Sequence, residues 1–146
     1  ISTVGLGTNP HTLWAFVSHP MGMIASDAIL FGEYPNPRTY GCFPIVLAEF
    51  VRAEKHLSLP EAIRKMTSFP AQRLGIPDRG LLPDGFKADI VLFNPDTVKT
   101  HATKEDPKHY PVGIDYVIVN GRVVIDQGEN TGALPGRGLR RGRSST

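Results

Sequence analysis

With 146 residues, 40% of them hydrophobic and 21% charged, the chain is long enough for one domain with a real core and has the make-up of a folded globular protein. Its 16 Lys and Arg against 14 Asp and Glu leave a net charge of +2, which excludes a bulk electrostatic drive toward nucleic acid or membrane. One cysteine, Cys42, excludes an internal disulfide and suits a reducing compartment, so with no signal peptide and no apolar run of membrane-spanning length the default location is cytoplasmic.

The chain begins at Ile1 rather than Met, and its first eight residues start in mid-pattern, as if a strand or loop had been severed from its neighbours. Asn9-Pro10 supplies an N-cap and a first-turn proline. Leu13, Trp14, Phe16 and Val17 then predict a short apolar helix ending near His19-Pro20. Met21-Gly-Met-Ile-Ala25 predicts a buried strand that delivers Ser26 and Asp27 at its carboxyl end, where α/β folds place catalytic groups. A carboxylate there, at the rim of a closed sheet, is partly desolvated and able to accept a proton. The loop that follows is rich in Gly and Pro and carries Tyr34, Tyr40 and Arg38, whose planar charged fork suits a substrate carboxylate. Ser-Asp after a strand also fits an N-cap or an Asx-turn, and a loop arginine also fits plain solvation.

Phe43, Val46, Leu47, Phe50 and Val51 recur at helical spacing and predict an amphipathic helix running to about Lys55. Cys42, beside Phe43, reads as a packed side chain rather than a nucleophile. Ser58-Leu-Pro-Glu61 is a capping-box pattern opening a second helix with Ala62, Ile63 and Met66 inward; Pro70 ends it, and one more turn reaches Gly75. From Arg79 the period changes. Pro83-Asp84-Gly85 predicts a turn, Ala88-Asp-Ile-Val-Leu-Phe93 a strand, and Asn120-Gly121 a hairpin turn between Tyr116-Val-Ile-Val119 and Arg122-Val-Val-Ile125. His101 and His109 lie eight residues apart across a polar loop, a spacing that matches no compact metal site, and His11, His19 and His56 stand alone. The tail from Gly128, with Arg137, Arg140, Arg141 and Arg143, reads as a solvated terminus, and an arginine-rich binding module is the alternative.

Five blocks in this order, Ile24-Ala-Ser-Asp27, Pro35-Asn-Pro-Arg-Thr-Tyr-Gly41, Leu59-Pro-Glu-Ala-Ile-Arg-Lys-Met-Thr-Ser-Phe-Pro-Ala71, Gly85-Phe-Lys-Ala-Asp-Ile-Val91 and Val119-Asn-Gly121, resemble the carboxyl-terminal part of the N-acyl-D-amino-acid deacylases (D-aminoacylases) of the amidohydrolase superfamily. The resemblance implies an α/β fold: the C-terminal fragment of a metal-dependent (β/α)8 barrel followed by strands of a small β-sandwich. Such a barrel needs about 250 residues. The expected division is therefore 1–78 for the last αβ unit with its site loop and following helices, 79–127 for sandwich strands and hairpin, and 128–146 for the tail.

The resemblance also implies hydrolysis of N-acyl-D-amino acids in a zinc enzyme, with Asp27 as the general base near the metal and Arg38 gripping the substrate α-carboxylate. The main metal ligands, among them a His-X-His, are expected upstream of Ile1. The chain's partner is then the amino-terminal part of its own barrel, and it is expected to be inactive and zinc-free alone. Two departures, Ala28 for the family's glycine and Asn36 for its histidine, leave substrate preference open. A cyclic amide, as in hydantoinases and dihydroorotase, is the alternative substrate.

Overall fold

A computed structural model describes residues 9–140. The severed strand expected over residues 1–8, and Arg141 and Arg143 of the tail, lie outside them.

Helix α1, Pro10–Ser18, is the first predicted helix, opened by the Leu13 N–H donating to the Asn9 carbonyl at 3.0 Å. Helix α2 spans Arg38–Ile45 and continues as a π-helical stretch, Val46–Ala53. This helix starts five residues before Phe43, the first residue of the predicted stripe, so Arg38 is a helical rather than a loop residue. Asn36 and Pro37 nucleate it, their carbonyls accepting the N–H groups of Thr39, Tyr40 and Gly41 at 2.9–3.1 Å. Pro44 lies inside α2; it removes one donor and crowds the preceding turn, and the wider π register begins two residues later. Lys55, at φ 57, ends the helix as expected.

Helix α3, Leu59–Met66, is capped by the Ser58 hydroxyl, which accepts the Glu61 N–H at 3.3 Å. Only half of the expected capping box forms, because the Glu61 carboxylate turns to the Arg64 guanidinium instead, at 2.8 and 2.9 Å. The break before α4, Ser68–Leu74, falls at Thr67 (φ −130, ψ −86) rather than at Pro70. Pro70 cannot donate to the Met66 carbonyl one turn back, so the chain kinks earlier and Pro70 sits in the first turn of the new helix, where no donor is needed. Gly75, at φ 68, closes α4 as the sequence predicts.

Val46, Leu57 and Ala62 form the buried centre of the helical part, with Val17, Ile24, Val51 and Met66 against it. Residues 21–30 form no strand. A strand exists only through a neighbour that completes its ladder, and no described segment lies beside this one to do so. Met21 and Met23 are exposed where burial was expected, as are Leu30 and Phe31 beyond them.

The second part is a four-stranded antiparallel meander, β1 (Ile90–Phe93), β2 (Ile114–Val119), β3 (Arg122–Asp126) and β4 (Glu129–Asn130), in sequence order. Asn120 (φ 49) and Gly121 (φ 77) make the predicted tight turn between β2 and β3. A second turn at Gln127 (φ 49) and Gly128 (φ 85) adds β4, so the sheet runs into residues read from sequence as the start of the tail. Val91, Leu92 and Val123 remain exposed on this sheet.

Arg79, in the connection between α4 and β1, fastens that connection to the sheet. Its side chain, 8% exposed, donates to the Asp89 carboxylate and to Asn120 Oδ1, while the Asn120 N–H donates to Asp89 Oδ1 at 2.8 Å and Asn120 Nδ2 to the Pro135 carbonyl at 2.8 Å. Among the described residues, no helix is long and apolar enough to cross a membrane.

Candidate active site

Residues 19–30, which carry Asp27, run between two helices, and each helix holds a different set of their polar groups. From α3, the Lys65 ammonium donates to the His19 carbonyl and, at 3.0 Å, to that of Gly22. Arg64 Nη2 donates to the Pro20 carbonyl at 3.2 Å, and the Lys65 carbonyl accepts the Ile24 N–H at 3.1 Å. From the first turns of α2, Cys42 Sγ reaches the Ala25 carbonyl at 3.6 Å and Thr39 Oγ1 the Ile29 carbonyl at 3.4 Å. Between those two contacts Arg38 Nη2 meets Asp27 Oδ2 at 2.7 Å. Asp27 and Arg38, eleven residues apart in sequence, are thus brought into direct contact.

Asp27 adopts φ 46, a left-handed conformation that costs an ordinary L-residue free energy but that Asp and Asn tolerate better than most. Its side chain is 76% exposed and that of Arg38 47%. The carboxylate is therefore open to solvent rather than partly desolvated, because no closed sheet surrounds it among the described residues. An ion pair so exposed is worth about 0–1 kcal/mol, little enough for a competing carboxylate to take the guanidinium. Burial pushes the Cys42 thiol up, over the opposing pull of the Arg38 charge, so Cys42 stays a neutral thiol, in keeping with its reading as a packed side chain.

No three His, Cys, Asp or Glu side chains converge among the described residues. His109 pairs with Asp106 at 2.6 Å, and His56 with Glu54 at 3.4 Å and the Trp14 ring at 5.0 Å between centroids. These residues do not by themselves form a site that holds a metal ion; Asp27 offers a single carboxylate.

The grip of Lys65, Arg64, Thr39 and Cys42 on this segment was not anticipated. For Thr39 and Cys42 a signal existed, since Asn36-Pro37 repeats the Asn9-Pro10 helix start and would have put both on the first turns of a helix. For Lys65 there was none, because a lysine in an amphipathic helix reads as solvated.

Residues 16–125 match the model of the Amidohydrolase family. The chain belongs to that family. This amidohydrolase-family chain is 46% identical over 123 residues to an N-acyl-D-aspartate deacylase of Alcaligenes xylosoxydans xylosoxydans, an alignment covering 84% of the chain and 24% of that protein. The crystal structure of a D-aminoacylase superposes with TM-score 0.89 at 36% identity, over 92% of this chain and 28% of that one. An N-acyl-D-glutamate deacylase from Bordetella bronchiseptica, solved with zinc and a phosphonate mimic of the tetrahedral intermediate, superposes with TM-score 0.78 at 38% identity, over 80% and 25%. The chain thus spans about a quarter of the length of the relatives it matches.

Proposed function

We propose that this chain is the carboxyl-terminal part of a zinc-dependent N-acyl-D-amino-acid deacylase, contributing the proton-transferring base and the substrate clamp. The observation that carries the reading is the contact between Asp27 and Arg38, at 2.7 Å, in a chain that superposes on D-aminoacylase with TM-score 0.89. Asp27 takes a proton from the attacking water as its oxygen adds to the acyl carbon, then gives it to the nitrogen as the C–N bond breaks, so that amide and water become a carboxylic acid and an amine, which settle as carboxylate and ammonium. Arg38 leaves Asp27 for the substrate's α-carboxylate, whose two oxygens match its fork, and so orients the amide for attack.

The exposed Met21, Leu30 and Phe31 support a position for residues 1–78 as the last unit of a (β/α)8 barrel, with the remaining barrel elements as the partner that covers them. The exposed faces of the meander support a reading of residues 79–130, one strand beyond the expected boundary at 127, as part of a β-sandwich, with the residues after them to 146 as its tail. Zinc ligands would come from outside residues 9–140, and the single thiol fits a cytoplasmic enzyme. The test is the full-length, zinc-loaded protein assayed on N-acetyl-D-aspartate, N-acetyl-D-glutamate, their L-enantiomers and a hydantoin. Release of the D-amino acid is expected; turnover of the hydantoin alone would transfer the reading to cyclic amides.

A further inference from the structure

We propose that Lys65 is a positioning residue for Asp27, fixing through His19, Gly22 and Ile24 the segment that ends at the base; the inference rests on the deacylase reading above. Lys65 is fully buried, an unusual place for an ammonium. Its ammonium donates to two carbonyls of one short segment, His19 and Gly22, with Glu61 Oε1 at 4.0 Å. Burial pushes its pKa down, with Glu61 opposing and Arg64 adding to the shift, so the fold bears an electrostatic cost that an apolar side chain of the same length would avoid.

What that cost secures is register. With the Lys65 carbonyl on the Ile24 N–H and Arg64 on the Pro20 carbonyl, one turn of α3 holds four positions between His19 and Ile24, the last of them three residues from Asp27. Gly22 shows how closely the segment is held. A Cβ there would lie 2.6 Å from the Phe16 carbonyl oxygen, 3.1 Å from that of His19 and 3.5 Å from Lys65 Nζ. Lys65 itself touches neither Asp27 nor Arg38, so its influence on chemistry runs through backbone placement, to which proton transfer is sensitive at the scale of about 1 Å.

A double-mutant cycle in the full-length, zinc-loaded enzyme tests this, with kcat expressed per bound zinc. Lys65→Met is expected to lower kcat about 10-fold or more with KM within about 3-fold, and to add nothing in the Asp27→Asn background. Unchanged kcat, or a loss that multiplies that of Asp27→Asn, overturns the proposal. Should Lys65→Met fail to fold, Lys65→Arg, which keeps the cation, decides in the same way: a smaller loss confined to the Asp27 background supports it, and an equal loss in both backgrounds overturns it. Near-normal kcat in Asp27→Asn would instead reject the deacylase assignment of Asp27, a result distinct from any failure of Lys65.

Discussion

The meander from Ile90 to Asn130 and the segment carrying Asp27 both have to satisfy backbone polar groups, and they do so in opposite ways. Each strand of the meander pairs with its neighbour in sequence, β2 to β4 through turns of two residues at Asn120-Gly121 and Gln127-Gly128, and β1 with β2 across the connection 94–113. The segment carrying Asp27 is held from α2, ten to seventeen residues on, and from α3, more than forty residues on. The hairpins from β2 to β4 are thus specified locally, whereas the placement of Asp27 is a long-range property of the helical part. Arg79 fastens the connection between α4 and β1 to the meander.

Removing the charge of Asp27, the proposed base, should perturb the molecule most. Asp27→Asn in the full-length protein should keep its zinc and lose turnover by about 10²–10⁴-fold, as expected for removal of a general base. Because Asn also tolerates φ 46, the change removes charge without adding backbone strain. Metal content by elemental analysis beside kcat is the measurement, and near-normal kcat would remove Asp27 from the role. Removing the Arg79 contacts should act on stability instead. Arg79→Met removes the charged hydrogen bonds to the partly exposed Asp89 carboxylate and to Asn120 and should cost about 1–3 kcal/mol in denaturant unfolding, the range for hydrogen bonds to a charged group.

Arg38→Ala is the next step down. It should raise KM for N-acyl-D-amino acids about 10–100-fold while sparing kcat, the pattern of a lost ground-state grip, and an unchanged KM would reject the clamp. The smallest effect is a pH dependence. The Arg64 guanidinium, through its hydrogen bonds, holds the Glu61 carboxyl below its ordinary value. A depressed carboxyl contributes stability that is present above its unfolded pKa and is lost as pH falls through the folded one. Glu61→Gln should therefore flatten the acid limb of a stability profile below about pH 5, and a superimposable limb in the variant would refute the linkage.

What could be read from the sequence follows the same division. Asn120-Gly121, Ser58 as a cap and Gly75 as a helix stop are local decisions, each made by one residue's conformational preference, and each stands where it was expected. Gln127 hid the last turn because glutamine seldom takes positive φ. Met21-Gly-Met-Ile-Ala25 has a strand's composition, but pairing depends on chain that does not lie beside it. Asp27 and Arg38 were legible as types in a loop, while their contact depended on α2 starting at Arg38. Lys65 was illegible because inward and outward lysines on a helix look alike until the neighbouring segment is in place.

The left-handed backbone at Asp27 has a consequence for any attempt to evolve or redesign this position. Glycine and asparagine suit the turn and carry no carboxylate; glutamate keeps the acid but fits the turn poorly and projects it one methylene further. Selection at this codon is thus squeezed from two sides, by conformation and by chemistry, and a saturation library should return aspartate almost alone among active clones.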